Sequence, residues 1–156
     1  MTVKMVQAIV LVLMIFTVQA RAQEQDLHQP ATQPSVRFEA VDVYMDSGDQ
    51  PLAAYQFEFA AEAGEIAIVG IEGGEHPAFK EPPYYDPAAL SKERIIIAAF
   101  NTGRNLPKDK TRVATLHVQV IGETGPEYVV KLEVAASAEG QRIPATVTLA
   151  KGEKRK

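Results

Sequence analysis

Apolar and polar residues alternate along the chain from Val36 onward in short runs, each closed by a cluster of Gly, Pro, Asp or Asn. A two-residue period marks strands with one face covered. The first run, Val36 to Met45, puts Phe38 and Ala40 on one parity and Val41, Val43 and Met45 on the other. That change of parity predicts a bulge or a sheet-to-sheet bend near Ala40 and Val41. The cluster Asp46-Ser47-Gly48-Asp49-Gln50-Pro51 follows. Then comes Leu52 to Phe59, with Ala53, Tyr55, Phe57 and Phe59 on the expected core face. Two such runs around a polar turn predict a pair of antiparallel strands.

Glu65 to Ile71 is apolar on both parities. It predicts a central strand covered on both sides, with Gly70 marking a bulge or a close backbone approach. Arg94 to Phe100 reads as a second buried strand. Thr111 to Ile121 alternates most clearly: Ala114, Leu116, Val118 and Val120 face one way, and Val113, Thr115, His117 and Gln119 the other. Tyr128 to Val134 and Ile143 to Leu149 complete the set. About eight to nine short strands, with little room for helix, predict an all-β fold. The expected architecture is a jelly-roll-like antiparallel β-sandwich over 36–150, with a closed barrel as the alternative.

One stretch breaks the rhythm. Glu72 to Leu90 holds two glycines, four prolines, a histidine and three aromatics. It is too long for a hairpin loop, and long loops in compact domains often carry function. Asp86-Pro87-Ala88-Ala89-Leu90 predicts one short helical turn, with Asp86 as N-cap and Pro87 at the first helical position. Glu72, His76, Phe79, Tyr84, Tyr85 and Asp86 from this loop, with nearby Asn101, are the candidate partner-binding residues. Phe79 has a structural reading as well, as a plug for the end of the sandwich.

Ahead of the strands, Lys4 precedes the apolar run Ala8 to Val18, and Ala20-Arg21-Ala22 supplies a small-x-small site. This predicts a secretory signal peptide over 1–22, too short for a comfortable membrane span, and so no span after cleavage; the rival reading is an uncleaved N-terminal anchor. The polar, proline-containing stretch 23–35 reads as a flexible leader. The segment 151–156 reads as a disordered basic tail. Export to a periplasmic or extracellular location follows. The chain has no cysteine, so its core must hold without disulfides. Its net charge is −4, and two of its cations, Lys4 and Arg21, lie in the signal segment. An acidic remainder argues against nucleic acid as partner, because phosphate binding needs a basic face.

Catalytic signatures are missing. There is no Cys, no serine in a Gly-x-Ser-x-Gly elbow, no phosphate loop and no His-Glu-x-x-His. The expectation is a non-catalytic protein without a cofactor. Glu72, Glu75 and Asp86 offer oxygen ligands that would suit calcium, and the single His76 is too few for a typical zinc site, but no twelve-residue calcium loop is present. Asp46 and Asp49 are read as turn residues.

Three passages carry a family resemblance: VDVYMDSGDQPLAAYQFEF from Val41 to Phe59, RIIIAAFNTG from Arg94 to Gly103, and TRVATLHVQV from Thr111 to Val120. With these the chain resembles a cohesin-type module, of the β-sandwich superfamily that includes cellulose-binding modules. The resemblance implies a β-sandwich that docks a small dockerin-like protein on one sheet face. No motif carries particular dockerin-contacting residues over to this sequence. The alternative is a carbohydrate-binding module acting on polysaccharide through Phe79, Tyr84 and Tyr85, since aromatic faces stack on sugar rings. A third possibility is self-association through an exposed strand edge.

Overall fold

The computed structural model describes residues 33–152. The expected signal segment over 1–22, most of the leader and residues 153–156 lie outside the described residues. Among the described residues eight strands form: β1 (Val36–Asp46), β2 (Ala54–Ala63), β3 (Glu65–Gly73), β4 (Tyr84–Tyr85), β5 (Arg94–Phe100), β6 (Lys110–Ile121), β7 (Glu127–Ala136) and β8 (Thr146–Lys151). They make two four-stranded sheets, ordered β3-β6-β1-β8 (sheet A) and β4-β5-β2-β7 (sheet B). Every pairing is antiparallel. The chain is thus the all-β antiparallel sandwich expected from its alternating pattern. In place of one helical turn there are two 3₁₀ turns, Pro77–Phe79 and Pro87–Ala89.

The core lies between the sheets. Val41, Val43 and Met45 from β1 meet Tyr55, Phe57 and Phe59 from β2 across the interior. Tyr55 carries a hydroxyl into this space and donates it to the Val113 carbonyl at 3.0 Å. A buried hydroxyl without a partner would be costly, so this bond holds the two sheets in one alignment.

Four expectations change. The runs either side of Asp46–Pro51 are not paired with each other. β1 lies in sheet A and β2 in sheet B, so this connection crosses the sandwich. Its turn is held locally: Gly48 N–H donates to Asp46 Oδ1 at 3.0 Å, Ser47 Oγ donates to the Gln50 carbonyl at 2.8 Å, and Gly48 has φ of 57°. No break occurs at Ala40 and Val41, where the register with β6 runs straight from Ala40↔His117 to Val41↔Leu116. The irregularity comes at Val43 and Tyr44, opposite Ala114 and Arg112. β6 bulges there, which leaves both Val113 and Ala114 buried.

β3 is an edge strand and not a central one. Its double-parity pattern comes from a bulge between Ile68 and Gly70. Ile66 and Ile68 point inward before the bulge and Ile71 after it, while Val69 is left exposed. The free edge of β3 is covered by the loop before β5: Ile68 N–H donates to Lys92 and Ser91 N–H donates to Ile68, at 3.0 and 2.8 Å. Finally, β5 is buried on one face only, as described below. At the far end, Lys151 belongs to β8 and pairs with Val41, so the sandwich runs past residue 150. Among the described residues no helix is long and apolar enough to cross a membrane.

Candidate functional site

β5 lies between β4 and β2, and its bonds fix which way each residue points. Asn101 N–H donates to the Ala53 carbonyl at 2.7 Å, and Ala61 N–H donates to the Glu93 carbonyl at 3.0 Å. Between these ties the strand alternates. Ile95 and Ile97 are buried in the core, while Ile96 and Phe100 stand on the outer face of sheet B. β4 sets Tyr84 opposite Ala98. The Tyr84 ring then lies nearly parallel to Phe100, with centroids 5.9 Å apart and planes 11° apart. Tyr84 is 67 % exposed, Phe100 65 % and Ile96 50 %. Three large apolar side chains therefore share one flat face, with Ala98 between them. Single exposed apolar residues are ordinary, whereas contiguous exposed apolar groups are the material from which interaction surfaces are built.

Charged residues border the strip. On β2, Glu58 sits opposite Ile96, and its carboxylate takes the Arg94 guanidinium in an ion pair. On β7, Lys131 pairs with Glu133 at 2.7 Å. The hydrogen bond from Lys131 to Glu133, and then the carboxylate charge, raise the Lys131 pKa above its ordinary value. On the other side the strip falls into a shallow groove against the Asp86–Lys92 loop, lined by Tyr85, Asp86, Ala89 and Lys92. An apolar centre with a polar rim is the usual make-up of a protein-binding patch.

The candidate residues from the sequence do not form one cluster. Tyr84 stands in the exposed strip. Tyr85 next to it is partly buried and packs on the core. Asp86 caps the second 3₁₀ turn, its Oδ1 accepting from Ala88 N–H at 2.9 Å. His76 caps the first in the same way, with Nδ1 accepting from Ala78 N–H at 3.1 Å. Phe79 is 3 % exposed and meets Tyr55 edge-on, with centroids 5.0 Å apart. Asn101 ties the loop to β5: its Nδ2 donates to the Ala78 carbonyl at 3.0 Å and its Oδ1 accepts from Gly103 N–H at 2.7 Å. Glu72 lies on sheet A, where its carboxylate meets His117 Nε2 at 2.9 Å.

The surface residues that sequence reasoning missed are Ile96 and Phe100. RIIIAAF is apolar on both parities and so reads as doubly covered. The available signal was Arg94, which shares their parity and marks the solvent side of the strand.

Sheet A also exposes apolar side chains, Val36, Phe38 and Val69, but beside them it carries a polar cluster. On its outer face Thr115 donates to Asp42 Oδ1 at 2.5 Å, and Arg112 Nη1 donates to Thr115 at 2.8 Å and to the Gly73 carbonyl at 3.1 Å. Arg112 Nε stands 4.0 Å from Asp42 Oδ1, and both side chains are nearly buried. Each of these groups is engaged by a neighbour, so the cluster braces three strands. Among the described residues no three His, Asp or Glu side chains converge as a metal site would require.

No family model matches the chain, and no curated protein matches it. Among solved structures it is similar to the seventh ScaB type I cohesin from Pseudobacteroides cellulosolvens, at 11 % identity and a TM-score of 0.46, covering 68 % of this chain and 73 % of that one.

Proposed function

We propose that the chain is an exported, non-catalytic binding module that recognises a protein partner on the outer face of sheet B. The observation that carries this reading is the strip Tyr84–Ile96–Phe100, left exposed on a flat face that folding does not use. In this reading Tyr84 and Phe100 are the aromatic anchors, and Glu58, Arg94, Lys131 and Glu133 are the rim. Phe79, His76, Asp86 and Asn101 fix the loop that presents Tyr84, and Tyr85 forms the groove wall. Glu72 lies on the other sheet and takes no part in this patch. The cohesin-like strand passages favour a small dockerin-like domain as the partner class.

The test is site-specific photocrosslinking in the exported fraction of the source organism. A photoreactive residue at Phe100 is expected to yield a discrete protein adduct that Tyr84→Ala abolishes. The same probe at Thr148, on the outer face of sheet A, is expected to yield none. Equal adducts at both positions, or no adduct at Phe100, would overturn the assignment. Retardation on polysaccharide gels that Tyr84→Ala abolishes, without a protein adduct, would favour the glycan alternative.

A further inference from the structure

A cleft of about 560 Å³ opens at the end of the sandwich where β5 finishes. Its walls are the connections before β2, after β5 and between β7 and β8. Backbone bonds tie these walls to one another and to the sheets. Leu52 N–H donates to the Pro107 carbonyl and Ala53 N–H to the Ala136 carbonyl, both at 2.9 Å. Ile143 N–H donates to the Ala135 carbonyl at 3.0 Å, and Ser137 N–H to the Gln141 carbonyl at 2.9 Å. The fold itself therefore sets the cleft, which lowers the ordering cost of binding in it.

Arg104 and Arg142 both line it. The other described arginines each meet a carboxylate: Arg37 meets Glu39, Arg94 meets Glu58 and Arg112 meets Asp42. Arg104 and Arg142 meet none among the described residues. Arg142 Nη1 donates to the Glu133 carbonyl at 3.0 Å, which fixes the guanidinium while leaving its charge without an anion. Glu139 is the acid that lines the cleft, and its carboxylate accepts from the Ser137 hydroxyl at 2.8 Å instead of pairing with either arginine. Two cations against one anion make this a positive site on a chain of net charge −4. Guanidinium groups match the planar fork of a carboxylate. No aromatic ring lines the cleft, as stacking on a sugar would require, whereas Leu106, Ile143 and Pro144 suit the apolar parts of a peptide.

The cleft adjoins the recognition strip. Phe100 pairs with Ala54, Ala54 with Ala136, and Ala136 bridges to Arg142. Neighbouring strands lie about 4.8 Å apart, so Arg142 stands about 15 Å across the sheet from Phe100. Arg104 follows Phe100 by four residues in the chain. A partner covering about 800 Å² of this face, the usual size, reaches from the strip into the cleft. We infer that the partner recognised by sheet B carries an acidic peptide segment beside its apolar anchor, and that Arg104 and Arg142 bind the carboxylates of that segment in the cleft. The inference rests on the recognition strip as the docking face and adds the chemistry of what docks beside it.

The test places a photoreactive residue at Gln50, which lines the cleft, and exposes the full chain to the exported fraction of the source organism. Position 50 is expected to capture the same protein as position 100, and the crosslinked peptide, sequenced by mass spectrometry, is expected to contain Asp or Glu. With the probe at Phe100, Arg104→Glu and Arg142→Glu are each expected to lower the adduct yield about tenfold or more at limiting concentration. Arg142→Gln keeps a donor for the Glu133 carbonyl but not the charge, and is expected to lose yield as well. Lys151→Glu makes the same change of net charge on β8, away from the cleft, and is expected to leave the yield unchanged. Circular dichroism of each variant confirms that loss of adduct is not loss of fold. The inference is overturned by a Phe100 adduct that either arginine reversal leaves undiminished, by an equal loss in Lys151→Glu, or by a position 50 that captures no protein or a peptide without an acidic residue. Each of these results leaves the recognition strip standing, whereas no adduct at Phe100 in the parent removes the strip and the inference together. Retardation on polygalacturonate gels that Arg104→Glu abolishes, without a protein adduct, overturns it in favour of an acidic glycan.

Discussion

Replacing Phe79 with alanine asks whether the Glu72–Leu90 loop is a fixed part of the fold. The ring is almost wholly buried and stands edge-on to Tyr55. Around it, Gly74 N–H donates to the Phe79 carbonyl and Asn101 holds the Ala78 carbonyl. Truncating a buried phenylalanine removes its transfer free energy and leaves a cavity, at a cost of about 3–5 kcal/mol. The edge-on contact with Tyr55 contributes about 0.5–1.5 kcal/mol beyond area. Phe79 sits where a loop meets the end of the sandwich, and a loop can partly collapse into the space. The lower part of the range, about 3 kcal/mol, is therefore expected. A urea slope of about 1–3 kcal/mol per molar is usual for a small domain, so the midpoint should fall by about 1 M or more at unchanged slope. Phe79→Leu keeps most of the volume and should cost under about 1.5 kcal/mol. Far-UV circular dichroism in urea reads both variants. A loss below about 1 kcal/mol for Phe79→Ala would refute the reasoning, since no anchored aromatic ring is removed so cheaply.

Other outcomes follow from the same packing. Asp42→Ala leaves the nearly buried Arg112 without its carboxylate and should cost about 3 kcal/mol by urea unfolding, whereas surface pairs cost far less. A Cβ on Gly74 would overlap the Arg112 carbonyl oxygen and stand 2.9 Å from Val113 Cα, both backbone atoms. Gly74→Ala should therefore destabilise by about 3 kcal/mol, the upper part of the range for overpacking. The Tyr128 pKa is pushed up to about 12, first by burial, then by the Glu39 charge and the hydrogen bond to Glu39. The folded state thus holds this proton more tightly than the unfolded chain, whose tyrosine titrates near 10. The stabilisation is complete below about pH 10 and is lost as pH rises toward 12. Tyr128→Phe should flatten the fall in stability across that window, measured by urea titrations at fixed pH.

How much of this was legible in the sequence depends on which physics set each feature. Strand positions were legible, because burial on one face writes itself as alternation; β1, β5 and β6 lie within a residue or so of their expected spans. Pairing was not. A polar turn is needed whether the chain folds back beside itself or crosses to the other sheet. The Asp46–Pro51 cluster could not tell these apart, and the choice was made by β6 and β5, distant in sequence. Double-parity runs were ambiguous for a similar reason: in β3 a bulge produced the pattern, and in β5 an exposed apolar face did. Asp86-Pro87 announced its 3₁₀ turn through capping chemistry. His76-Pro77 uses the same device with a less common cap and was not recognised. Of the candidate residues, the loop aromatics led to Tyr84, but its stacking partner Phe100 lies sixteen residues on, in a neighbouring strand. Sequence spacing gives no sign of such a pair.

The recognition strip is most directly tested by placing a photoreactive residue at Tyr84 in the Ile96→Thr, Phe100→Thr background. Both replaced side chains are exposed, so folding stability should stay within about 1 kcal/mol of the parent. The account predicts that the protein adduct formed from position 84 falls to background in this folded variant. An undiminished adduct would contradict it, and would mean that the partner is held elsewhere on the sandwich.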